Sequence, residues 1–213
     1  MIRALVIGNS HAAALIKGWD QIRDGYADKV DLSFFATWEP IYRQLGFQGL
    51  VFGAHADSDL PQHSQDRLVE MNGTAQVDLT GFDHVLHVGL LVPDADLIDT
   101  ARRFDVDGLP EAGHPHRLSR PAFDALVDSH VQRPPVLALL QGPWAQLGNR
   151  LTVLRRPRAR QSLFGPAESP AASIFGTAQG RIDAALADQA ASAGIRFLPQ
   201  PVQTLTPPGL SDS

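Results

Sequence analysis

Residues 5–19 read LVIGNSHAAALIKGW. The apolar run of residues 4–7 stops at Gly8, Ser10 and His11 follow at once, and Ala12, Leu15, Ile16, Trp19 and Ile22 then recur at helical spacing. An unbroken apolar run of this length suits a strand buried on both faces, as in a parallel sheet. Gly8 lets the chain leave that strand through a backbone shape that larger residues resist. Strand, turn and amphipathic helix together make a βα unit, and the rest of the chain repeats its pattern. Strands are predicted at VDLSFFA (30–36), FDHVLHVGLLV (82–92), VLALL (136–140) and IRFLPQP (195–201), with helices over 65–71, 94–104, 119–130 and 178–193. Residues 37–60 read as a long loop with a short hairpin, 105–117 as loop, and 142–176 carry no assignment. The alternation predicts an α/β fold: a three-layer α/β/α sandwich on a mostly parallel sheet of about five strands, flavodoxin-like, in one domain over residues 1–213.

Composition narrows the function classes. Eighteen Lys and Arg against 23 Asp and Glu give a net charge of −5, which does not favour nucleic acid as a partner. The absence of cysteine excludes disulfides, thiolate metal sites and thiol nucleophiles. No segment approaches the ~18 apolar residues of a membrane helix, and the first apolar run is too short for a signal-peptide core. A soluble, cytoplasmic protein without membrane partners is expected. Its oligomeric state is left open.

Ligands of open α/β sheets bind beyond the carboxyl ends of the strands, near the switch in strand order, and Gly8-Asn9-Ser10-His11 lies at such an end. Ser10 supports two readings. As a nucleophile it gains from the helix N-terminus, whose dipole and free N–H groups stabilise developing negative charge. As an N-cap it needs no chemistry at all, because serine is a preferred cap.

The stretch VIGNSHAAAL resembles the first block of the SGNH (GDSL-type) hydrolases, and uncharacterised bacterial members that carry Gly-Asn-Ser-His there. That resemblance implies the three-layer sandwich, with Ser10 as the nucleophile and Asn9 where the family has aspartate. It also implies an oxyanion glycine after the second strand, for which Gly46, Gly49 and Gly53 compete. The family's Gly-x-Asn-Asp block falls on Gly89-Leu90-Leu91-Val92, so Leu91 takes the oxyanion asparagine's place and cannot donate a hydrogen bond. Its Asp-x-x-His block, source of the general base, has no counterpart, since no histidine follows His130. Gly8, Asn9, Gly49 and Gly89 are therefore the oxyanion or pocket candidates. His11 and His87 are the candidate site histidines, each weighed against an ordinary hydrogen-bonded structural role. Strand alternation places His87 on the opposite sheet face from His84. The implied function is a serine esterase acting on an acyl ester, carbohydrate-linked esters included. The alternatives are a catalytically impaired domain that binds a saccharide or protein partner, and an O-acyltransferase.

Other signals are weaker. His114-Pro115-His116, with Asp105, Asp107 and Glu111 nearby, is the tightest metal-type cluster, but its proline and loop setting argue against a metal. No phosphate-loop or dinucleotide fingerprint occurs, so neither metal nor cofactor is expected. Arg150, Arg155, Arg156, Arg158 and Arg160 could grip an acidic ligand bidentately or form a solvated loop. Trp19 belongs to the helix stripe, whereas Trp38 and Trp144 fall near strand ends, where an aromatic can floor a sugar or acyl pocket.

Overall fold

The computed structural model describes residues 1–90, 92–166, 168–206 and 210–211. Its strands are β1 (Ile2–Gly8), β2 (Val30–Ala36), β3 (Gly46–Gln48), β4 (Val51–Gly53), β5 (Gln76–Asp78), β6 (His84–Leu90), β7 (Phe104–Val106), β8 (His116–Leu118), β9 (Leu151–Arg155) and β10 (Arg196–Leu198). The α-helices are α1 (Ala12–Ile22), α2 (Glu39–Tyr42), α3 (Gln62–Asn72), α4 (Ala95–Arg103), α5 (Arg120–Val131), α6 (Pro134–Gln141) and α7 (Pro170–Ser192). Among the described residues no helix is long and apolar enough to cross a membrane.

Five strands form the central sheet in the order β10-β9-β6-β1-β2, and every neighbouring pair is parallel. The strand order reverses between β1 and β6, the arrangement of flavodoxin-like sheets. Right-handed crossovers then dictate the layers. The β1-to-β2 connection runs one way along the sheet and puts α1 on one face. Later crossovers run the other way and put α3 to α7 on the opposite face. Two apolar clusters match this division. Ala12 of α1 packs with Val6 and Val88. Leu68, Leu97, Phe123, Val136 and Ile182, one from each of α3 to α7, share a cluster with Leu5, Ile7, Val85 and Val153. The result is a three-layer α/β/α sandwich in which one outer layer is thin.

Local signals account for several helix ends. Ser119 and Ser169 each accept a hydrogen bond from the backbone N–H three residues on, and each precedes a helix with proline in its first turn. Gly73 closes α3 in the left-handed region at φ 73°. The predicted hairpin is present as β3 and β4, which with β5 form a small antiparallel sheet over the α3 face.

One predicted strand is wrong. Residues 136–140 are not the fourth strand but the body of α6, which starts with Pro134 and Pro135 in its first turn. Two prolines preset helical φ there and lose no needed N–H, and Val136, Leu139 and Leu140 are buried at helical spacing. The fourth strand is β9, LTVLR, inside the segment without an assignment. The loop predicted over 105–117 also contains structure, since β7 and β8 pair in parallel across it.

Candidate functional site

Three chain segments converge at the carboxyl edge where the strand order reverses. They are the exit of β1, the exit of β2 leading into α2, and the bulged end of β6, whose register shifts between Val88 and Leu90. Two glycines permit the approach. A Cβ on Gly8 would lie 2.5 Å from the Val88 carbonyl oxygen, and one on Gly89, at φ +87°, would lie 2.4 Å from Asn9 Oδ1. Either contact is closer than atoms tolerate, so β1 and β6 meet here only because both positions lack side chains.

Asn9 fills the space thus opened and is 4% exposed. Its Nδ2 donates to a Glu39 carboxylate oxygen and, at 3.3 Å, to the Gly89 carbonyl. Its Oδ1 accepts from the His11 backbone N–H at 3.1 Å. One side chain therefore ties together the ends of β1, β6 and α2. The reach-back to the His11 amide is the local bond that favours Asn in turns before helices.

Ser10 stands beside this junction but outside it. It is exposed, and its hydroxyl makes no hydrogen bond among the described residues. Ser10 is not the cap of α1 either: His11 occupies that position and supplies no side-chain cap. No histidine or carboxylate accepts from Ser10 Oγ among the described residues. His11 is half-buried. Burial, with the positive charge of Arg156, holds its imidazole below the usual value and so favours the neutral form.

Beside Asn9 opens a pocket of about 570 Å³. Its polar border is Asn9, Glu39, Arg43, Tyr42 and His87, and Gly89 also lines it. Phe47, Phe52 and Trp144 form its aromatic wall, with ring centroids 4.8 Å (Phe47–Trp144) and 4.9 Å (Phe52–Trp144) apart. A volume of this size, with mostly apolar walls and a few convergent polar groups, is typical of small-molecule sites. Glu39 also accepts from Arg43 Nε at 2.9 Å, so both its oxygens are engaged on the protein side.

His87, which is buried, and Tyr42, which is half-buried, form a polar pair of the pocket. Tyr42 Oη and His87 Nε2 lie 2.7 Å apart, and the His87 ring sits edge-on to Trp144 at 5.1 Å. Burial pushes the His87 imidazole down to about 4 and the Tyr42 phenol well above its usual value, so both are neutral across ordinary pH. His87 Nδ1 is buried and finds no partner in another residue.

Among the residues singled out from the sequence, Gly8, Asn9, Ser10, His11, His87 and Gly89 are gathered at this edge. Gly49 is not. It forms the first position of the two-residue turn between β3 and β4 at φ +62°, is exposed, and does not line the pocket. Leu91 lies outside the described residues. His55 packs away with Nε2 3.3 Å from the Gly46 carbonyl. Asp105 accepts from the backbone N–H groups of Ala112, Gly113 and His114, shaping the loop rather than binding a cation. Among the described residues no group of three His, Asp or Glu side chains could hold a metal.

The arginine cluster is solvated only in part: Arg160 is exposed, while two of its members turn inward. Arg155 and Arg158 are both buried on the Asp183 carboxylate, and Arg155 Nη2 also donates to Gln179 Oε1 at 2.5 Å. Arg150 donates to the Phe82 carbonyl at 3.0 Å, and Arg156 approaches Asp94 at 3.7 Å.

Sequence reading missed Glu39 and Tyr42. A signal for them exists in Trp38-Glu39-Pro40, where an acid and a proline follow a strand end as they do in a helix's first turn. Residues 39 and 42 then share a helix face. No family model, curated protein or solved structure matches this chain.

Proposed function

We propose that this chain is an SGNH-type α/β domain that binds a small, uncharged, largely apolar ligand at the β1/β6 carboxyl edge. The observation that carries this reading is the aromatic pocket of about 570 Å³, bordered by Asn9, Glu39 and the Tyr42–His87 pair at the reversal of strand order. Phenyl acetate, titrated calorimetrically into the Ser10→Ala protein so that it cannot be turned over, tests it. Saturable binding is expected, together with its loss when Ala138, an exposed residue of the pocket wall, is changed to Trp and fills the space. Binding that survives Ala138→Trp would place the ligand elsewhere and sink the reading.

One observation favours a second, catalytic reading. The Ser10 hydroxyl is exposed and unengaged, at the turn into α1 and one residue from the pocket-lining Asn9. In this reading Ser10 Oγ bonds to the acyl carbon of an ester, and the bond from that carbon to the alcohol oxygen breaks. The proton lost by Ser10 ends on the departing alcohol. Water, or a second alcohol in an acyltransferase, then takes the acyl group and restores the serine. A free serine is a weak nucleophile without a base, so the decisive test is labelling of the wild-type protein with a fluorophosphonate. A stoichiometric adduct mapped to Ser10 and absent from Ser10→Ala supports catalysis. An unlabelled, folded protein leaves binding alone.

A further inference from the structure

The Tyr42–His87 pair holds one more proton than its own hydrogen bond consumes. A neutral imidazole carries one N–H and a phenol one O–H. Only one of them lies in the contact between Tyr42 Oη and His87 Nε2, 2.7 Å long. If Tyr42 donates, the imidazole proton sits on Nδ1, which is buried with no partner in another residue. If His87 donates, Nδ1 carries only a lone pair and the Tyr42 hydroxyl is left free where it lines the pocket. On Nδ1 the imidazole proton would face only the carbonyl of His87 itself, a contact within one residue that falls short of hydrogen-bond geometry. The second arrangement is therefore favoured once an acceptor in the pocket takes the phenol proton. No other hydrogen bond engages Tyr42 Oη among the described residues.

We propose that Tyr42, oriented by His87, is the polar anchor of the pocket and selects a neutral carbonyl oxygen set in an apolar body, as in a ketone, ester or amide. This rests on the pocket reading above and adds a ligand class and a specificity residue to it. Three features of the lining favour a neutral carbonyl over other oxygens. A carboxylate would give up its hydration against Phe47, Phe52 and Trp144, and Arg43, the cation of the border, is already paired with Glu39. A hydroxyl would bring a donor of its own, while the Glu39 oxygens are already taken by Asn9 and Arg43. A carbonyl accepts one hydrogen bond and asks for nothing in return. The raised phenol of Tyr42 keeps its proton available throughout the neutral range.

Acetophenone, α-methylstyrene and benzoate separate the possibilities, because the second replaces the carbonyl oxygen of the first with CH₂ at nearly the same shape. Calorimetric titration of the wild-type protein should give acetophenone a Kd about tenfold lower than α-methylstyrene. Benzoate should bind no better than the hydrocarbon. In Tyr42→Phe/His87→Phe the ketone's advantage should disappear while α-methylstyrene still binds, and that retained binding reports an intact pocket. Should the double variant fail to fold, the carbonyl stretch of ¹³C-labelled acetophenone bound to wild-type protein gives the same answer. It should move to lower frequency than in an apolar solvent. Equal affinities for ketone and hydrocarbon, or an unshifted band, overturn the anchor while leaving the pocket in place. Failure of every probe to bind overturns the pocket reading as well.

Discussion

Two buried polar clusters lie near carboxyl ends of neighbouring strands and use their charges in opposite ways. At the end of β9, Arg155 and Arg158 surround Asp183, with Gln179 completing the set, and the cluster lies inside the packing between β9 and α7. At the ends of β1 and β6, Asn9, Glu39, Tyr42 and His87 open onto a cavity. The first is rich in charge and conspicuous in the sequence, yet its groups are turned on one another. The second is nearly neutral and scattered through the chain, yet it leaves a hydrogen-bond donor to spare. Charge density marks a site less well than an unspent polar group beside open space.

The arginine cluster is where this contrast breaks most visibly. Asp183→Ala leaves two buried guanidiniums without their carboxylate, and denaturant unfolding should record a loss of about 3–5 kcal/mol. Binding of phenyl acetate by the fraction still folded should be unchanged, since none of these residues lines the pocket. A loss under 1 kcal/mol would mean that the cluster is solvated after all.

Acid acts on the other cluster. His87 titrates near 4 in the folded protein against an ordinary value of 6.5. Below pH 6.5 the unfolded chain therefore takes up a proton that the folded one refuses. The contribution is complete above pH 6.5 and is lost as pH falls toward 4, a loss of about 3 kcal/mol. His11 and His130 are shifted the same way, so the readout is a difference. The pH slope of unfolding free energy between 6.5 and 4 should be smaller by about 1.4 kcal/mol per unit in His87→Gln than in wild type. Identical slopes would show His87 to be accessible to water.

The smallest effects separate neighbours in sequence. Asn9→Ala removes the tie between β1, β6 and α2 and should cost about 1–3 kcal/mol. Ser10→Ala, at an exposed residue that caps nothing, should change stability by no more than about 0.5 kcal/mol. A cost near 1 kcal/mol for Ser10 would restore its role as the helix cap.

Much of this architecture is legible one segment at a time. The run before Gly8, the serine ahead of α5 and the glycine after α3 each act through a few neighbouring residues, so a linear reading finds them, whereas the serine ahead of α7 falls in the segment without an assignment. VLALL failed for the complementary reason. Five apolar residues fit a buried strand or a buried helix equally well, and here Pro134 and Pro135 decide for the helix by forming its first turn. β9 was hidden because flanking arginines gave its segment the look of a loop, while its neighbours β6 and β10 come from distant parts of the chain.

The amino-acid sequence by itself determined the alternation of strands and helices, and with it the parallel sheet and the placing of Gly8-Asn9-Ser10-His11 at a strand's carboxyl end. Those are consequences of local hydrogen bonding, capping and apolar periodicity. Only the tertiary structure decided that Asn9 rather than Ser10 is built into the junction, that Arg155 and Arg158 face Asp183 instead of solvent, and that Tyr42, His87 and Trp144 line one pocket. These facts depend on burial and on contacts between residues tens of positions apart, with Tyr42 and His87 separated by 45. No local pattern encodes such distances, because they arise from the order in which the strands pair.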